Sequence, residues 1–256
     1  MTMATPMARP MSERWRSGLV LLLSVALFAG IVLFAPGSNL SAVRRLLGLQ
    51  SPLGNPAEVP DEGTYAFLAT QPGGDDPVAW DPCREIRYEV NPDGGPDDAV
   101  ELVADALADA SEISGLQFDY LGETDRRPVW ESRFVPGFGR AEPVLFSWAD
   151  EDEVAELDGD VVGLGGAGAI EEGGWSRYVT GAVTLDTDDR AELAAARGLD
   201  PETVRRATLL HEIGHLLGLD HVDSPYELMQ PHNSGITDYA AGDQAGLAAL
   251  GSGRCS

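Results

Sequence analysis

From residue 63 onward the order of apolar and polar positions predicts a series of elements. "EIRYEV" (85–90) sets Ile86, Tyr88 and Val90 against charged neighbours, the period-two pattern of a half-buried strand. "PDDAVELVADALADASEISG" (96–115) places Val100, Val103 and Leu107 on one helical face, with Pro and Asp residues suited to a helix start and Gly115 to its stop. "LQFDYL" (116–121) and "PVLFSWA" (143–149) are further strand candidates, and "RYVTGAVTLDTD" (177–188) alternates again. Between them runs a glycine-rich stretch whose core, "GLGGAGAI" (163–170), has two readings: a flexible loop, or the approach to an edge strand on which an extended peptide can pair by main-chain hydrogen bonds. "LDPETVRRATLLHEIGHLLG" (199–218) is the clearest helix: Asp200 suits the N-cap, Pro201 the first turn and Gly218 the end. A short helix is expected near 240–250. Strand, helix, several strands, helix and final helix make an α+β domain over 63–256.

The pattern before residue 63 is different. Residues 18–35 form an uncharged apolar run of 18, preceded by Arg9, Arg14 and Arg16. That length is at the lower end of what spans a bilayer and longer than the usual ~7–15-residue core of a signal peptide. Pro36 directly follows Ala35, the best small residue, so a cleavage site is hard to place. We expect 1–17 as a short cytoplasmic N-terminus, 18–35 as an anchor in the cell membrane, and the rest of the chain directed outward by the positive flank. A cleaved signal peptide with a secreted product is the alternative. Residues 36–62, with four prolines and many small polar residues, read as a stalk.

Composition narrows the partners. Asp and Glu number 42 against 17 basic residues, all arginine, for a formal net charge of −25. Such a surface repels phosphate and excludes nucleic acid as the main partner. Cys83 and Cys255 are the two cysteines, an even count that in an exported domain favours a disulfide tying the beginning of the domain to its end.

Histidine supplies the candidate chemistry. Of four in the chain, three fall within eleven residues, in "HEIGHLLGLDH" (211–221). On a helix His211 and His215, four apart, project from one face and can share a metal ion. Glu212 points beside such an ion, where it can meet a water. Gly218, lacking Cβ, permits a reversal that brings His221 back as third ligand. Three imidazoles and an open position are the layout of a catalytic zinc, one per chain. The full HExxHxxGxxH pattern would arise by chance in a chain of this length about once in 100,000.

These residues resemble the zinc signature of the metzincin metallopeptidases, and "ELMQP" (227–231) is similar to their downstream Met-turn. "LGLDH" followed by the "LM-x-P" turn is most similar to the matrixin, or matrix metalloproteinase, branch, and "ITDYAAGDQAGLAALG" resembles that branch's last helix. The resemblance implies a twisted mixed sheet with the active-site helix beneath it and a shallow substrate cleft. It implies His211, His215 and His221 as ligands, Glu212 as general base, Met229 supporting the metal site from below, and a zinc endopeptidase cutting protein or peptide substrates outside the cell. We expect the catalytic domain to be monomeric. A catalytically silent, membrane-tethered binding module that keeps zinc for stability is the competing function. Gln230 stands where matrixins commonly have Tyr, and no inhibitory cysteine motif is recognisable. A zinc-blocking role for Cys83, by analogy with the family's propeptide cysteine, stands beside the disulfide reading, as do two free thiols. Ca²⁺ near Asp158, Asp160, Asp186, Asp188 or Asp189 rests on charge alone. His232 reads as a surface histidine or as part of the pocket rim, and 222–238 as the wall of a side-chain pocket.

Overall fold

The computed structural model describes residues 22–25, 27–30, 50–60, 62–130, 141–187, 198–232 and 235–255. The chain divides into two units, Met1–Gln50 and Ser51–Ser256. In the first, 22–25 and 27–30 are helical; most of the expected anchor at 18–35 lies outside the described residues, and among those described no helix is long and apolar enough to cross a membrane.

The second unit is built in chain order from β1 (Ala66–Phe67), β2 (Ala79–Trp80), β3 (Ile86–Val90), α1 (Ala99–Ser114), β4 (Phe118–Glu123), β5 (Val144–Ala149), β6 (Gly163–Glu172), β7 (Trp175–Asp186), α2 (Pro201–Leu217), β8 (Leu219–Asp220) and α3 (Ala241–Gly251). β4, β3, β5 and β7 lie side by side and parallel. β6 runs antiparallel along the other edge of β7, from Gly163 opposite Leu185 to Glu172 opposite Trp175. β2 adds a short parallel pairing at Arg177–Tyr178. The sheet is therefore mixed but mostly parallel. The short strands β1, β2 and β8, only two residues each, are too brief to leave a periodic signal.

The expected elements form for the expected reasons, with small shifts. β3 buries Ile86, Tyr88 and Val90 as its alternation requires. α1 turns Ala99, Val103, Ala106, Leu107 and Ala110 inward, so Val100 sits only at the margin of the buried face, and Gly115 ends the helix in the left-handed conformation (φ 74°). Asp200 caps α2, its carboxylate accepting the Thr203 N–H at 2.9 Å, and Pro201 opens the first turn. The stretch 163–170 is not a loop: it is the first part of β6. Residues 51–60, proline-rich enough to read as stalk, hydrogen-bond onto the folded unit, Leu53 N–H donating to Pro82 C=O and Ala57 N–H to Ile113 C=O, both at 2.9 Å.

α2 crosses one face of the sheet against β6 and β7 and packs on α1 and α3. Leu209, Leu210, Ile213, Leu216 and Leu217 are essentially inaccessible, and the Trp80 indole N–H donates to Leu216 C=O at 2.9 Å from within the core. The glycines of β6 make this approach close. A Cβ on Gly165 would overlap the Glu212 carbonyl, and one on Gly163 would lie 3.0 Å from the Glu212 Cγ. Cys83 and Cys255 form a disulfide (Cα–Cα 5.3 Å) between the start of the sheet and the residues after α3. This pairing removes the free-thiol and zinc-blocking readings of Cys83.

Candidate metal centre and cleft

α2 carries His211 and His215 one turn apart on the face toward the cleft. Gly218 (φ 122°) ends the helix, β8 pairs antiparallel with β1, and the chain returns with His221. The His211 and His215 Nε2 atoms lie 3.1 and 3.0 Å from the His221 Nε2. Each Nδ1 of the helical pair faces a backbone carbonyl: His211 that of Leu228 at 2.7 Å, His215 that of Leu219 at 2.8 Å. A carbonyl can only accept, so the ring protons sit on Nδ1 and the Nε2 lone pairs point inward. Lone pairs so close repel one another unless a cation lies among them. Ligands at 2.0–2.1 Å around one tetrahedral zinc would stand ~3.3 Å apart, close to the spacing seen. The donor set, three neutral imidazoles, suits zinc as well.

Burial keeps these rings neutral. Desolvation holds His211 at about 3 and His215 at about 4, and lowers His221, which lies nearer the surface. The same loss of water pushes Glu212 up to about 8. Its side chain, 5% exposed, packs against Gly163 beside the histidines.

The floor is the turn at Leu228–Met229. Met229 is 1% exposed, and its Sδ fills the space above Gly214, where a Cβ would come within 2.5 Å. A side chain between the two helical histidines would therefore push the Met229 sulfur out of its buried position. Two acidic residues not anticipated from sequence hold this turn. The Asp243 carboxylate, in the first turn of α3, accepts from the N–H groups of Leu228 (2.7 Å), Met229 (3.2 Å) and Ala240 (2.9 Å). Glu227 accepts from Thr64 N–H (3.1 Å) and Gly242 N–H (2.9 Å). The Tyr239 hydroxyl, fully buried, donates to Leu210 C=O at 2.7 Å and ties the segment after the turn to α2. Asp243, three residues into a helix that starts just after the turn, carried the one signal that could have pointed to it.

These groups open on a cavity of about 1000 Å³. The first residues of β6 form one wall, and Gln230, Pro231, His232 and 235–237 the other, so part of the expected 222–238 wall lines the cavity and the exposed His232 is among its lining residues. Residues 233–234, 188 and 189 lie outside the described residues. Among the described residues Asp158, Asp160 and Asp186 form no cluster of three donors, whereas His211, His215 and His221 do.

A matrixin (peptidase M10) family model matches residues 80–247, from β2 to α3. That is more than half of the chain, and the chain belongs to the matrixin family of zinc metallopeptidases. No curated protein matches it. Among solved structures, a chain of the GM1-bound form of the ECX AB5 holotoxin is similar at 16% identity and a TM-score of 0.32, over 62% of this chain and 68% of that one. A likeness at that level carries no functional argument.

Proposed function

We propose that the protein is a zinc endopeptidase that cuts extended segments of protein substrates outside the cell, with Glu212 as the proton carrier. The observation that supports it most is the placement of one buried carboxylate beside three convergent, neutral imidazole Nε2 atoms at the base of an open cleft. His211, His215 and His221 would hold the zinc, which supplies Lewis acidity to a scissile carbonyl when bound. Everything else falls to the chain. Among the described residues β6 pairs with β7 along one edge only, and its first residues line the cleft, so the other edge offers N–H and C=O groups to an extended peptide. Gln230, Pro231, His232 and 235–237 confine the side chain beside the cut. Glu212 Oε, beside the three imidazoles, accepts a proton from the attacking water and passes it to the departing amine. Packing against Gly163 and the backbone of β6 fixes the carboxylate in place.

The test is Glu212→Gln in the full chain. The variant should bind about one zinc per chain, by elemental analysis, and lose roughly 10²–10⁴ in kcat/KM on a peptide substrate. Near-parental turnover would remove Glu212 from the mechanism. A zinc-loaded parent that cuts nothing would favour the silent binding module.

A further inference from the structure

The cleft wall that begins β6 is the end of a longer acidic segment. Residues 150–160 read "DEDEVAELDGD", seven carboxylates in eleven positions, and between Arg140 and Arg177 the chain has no basic residue. A charge run is usually a solvated face with no fixed place; this one is pinned to the fold. Val154 and Leu157, 3% and 1% exposed, form a small apolar cluster with Ala149, against which Trp130, Val161 and Leu164 pack. All seven acidic residues are exposed. Among the described residues only Glu153 is ion-paired, with Arg127, whose Nε donates to it at 2.6 Å. Asp160, Val161, Val162 and Gly163 then line the cleft, so the acidic ridge runs into it without a break.

The cleft is a ligand site on grounds other than charge. Glu212 lines it at 5% exposure, with no hydrogen-bond partner for its carboxylate among the described residues. Three imidazole Nε2 atoms converge beside it. Among the described residues no arginine lines the cleft, whereas Asp160 and Asp220 do. Asp220 Oδ1 accepts the His221 N–H at 2.7 Å, and Asp160 is left to the solvent. In a chain of net charge −25 the approach along this wall is therefore of one sign. Such a field at a cleft concentrates the opposite charge and raises association rates by about 10–10³-fold, an effect that salt screens.

We propose that the ridge 150–160 selects cationic substrates: the cleft takes extended protein segments bearing Arg or Lys on one side of the cut, where they lie against Asp160 and the ridge behind it. This rests on the peptidase reading above. At ~3.3 Å per residue of extended chain, the ridge is met about two to four residues from the scissile bond.

The experiment uses the full, zinc-loaded chain in detergent micelles. Its first arm compares peptides carrying Arg, Gln or Glu at the second, third or fourth position on either side of the cut. On one side Arg should exceed Glu about tenfold in kcat/KM at low salt, with Gln between them. The ratio should fall toward one near 1 M salt, where the screening length contracts to ~3 Å. Glu156→Gln/Asp158→Asn/Asp160→Asn should slow the Arg peptide and speed the Glu peptide, opposite changes that damage to the fold cannot produce. Asp160→Asn alone, at an exposed position, should give the same pair of changes at smaller size. Cleavage without an Arg preference, a preference indifferent to salt, or one that both variants leave intact overturns the ridge. The second arm follows binding of labelled Arg and Glu peptides to zinc-loaded Glu212→Gln by fluorescence anisotropy. If the parent cuts no peptide, the peptidase reading fails and this arm decides the ridge. Tighter binding of the Arg peptide that salt weakens supports it, and equal binding of the two overturns it.

Discussion

At the site, burial sets the charge of single residues, and this makes the metal-free protein pH-sensitive in a defined sense. His211 and His215 sit at about 3 and about 4 in the folded chain against an ordinary 6.5, and Glu212 at about 8 against 4.5. Between pH 4.5 and 6.5 the unfolded chain carries two imidazole protons that the folded one lacks, while the folded chain carries one Glu212 proton that the unfolded one lacks. The net difference of one proton means stability rises with pH by about 1.4 kcal/mol per unit in that window. Above 6.5 only the Glu212 difference remains, the sign reverses, and stability falls at a similar rate toward pH 8. His221, lowered by burial, and Asp243, raised by it, act with opposite signs on the acid side. Urea unfolding in the presence of a chelator should therefore give its highest midpoint near pH 6–7. A midpoint that kept climbing from 6.5 to 8 would contradict the buried, protonated Glu212.

At the scale of elements, the last helix governs the metal-binding one through the turn between them. Asp243 of α3 accepts three backbone N–H groups, and the Leu228 whose amide it holds presents its carbonyl to His211 Nδ1. Asp243→Ala strands those donors in a region 1% exposed at Asp243 itself, which should lower stability by about 3–5 kcal/mol and weaken zinc retention with it. Asp243→Asn keeps one acceptor and should lose less. Denaturant titration and zinc competition read the two effects. If Asp243→Ala left both at parental values, the turn would be held by other contacts.

At the scale of the whole molecule, the disulfide ties the folded unit from near its start to its end. Cys83 and Cys255 close a loop of 172 residues, and on the chain-entropy view such a closure contributes about 5 kcal/mol at most. The Cys83→Ser/Cys255→Ser pair should unfold at markedly lower denaturant than the parent; an unchanged midpoint would mean that the packing of α3 already does the tying. For the chain before residue 51 we propose an anchor with Arg9, Arg14 and Arg16 on the cytoplasmic side. The full-length protein should then sediment with membranes, and external protease should release the folded unit. A soluble mature form beginning near 36–45 would instead identify a cleaved signal peptide.

Much of this was legible along the chain, because periodicity and spacing are local. The alternation in 85–90, the caps of α2 and the four-residue step from His211 to His215 each follow from neighbours within one or two turns. Gly218 and the chain reversal belong to the same short range, so all three convergent histidines and Glu212 are contained in eleven residues. What the sequence left open depended on partners far along the chain. Whether "GLGGAGAI" is loop or strand was decided by β7 on one side and the Glu212 backbone on the other, some fifty residues away; glycine, which weakens a strand by itself, is what lets the helix come that close. Asp243 and Glu227 look like surface acids in a chain with 42 of them, and only the meeting of α3 with the turn at Met229 buries them.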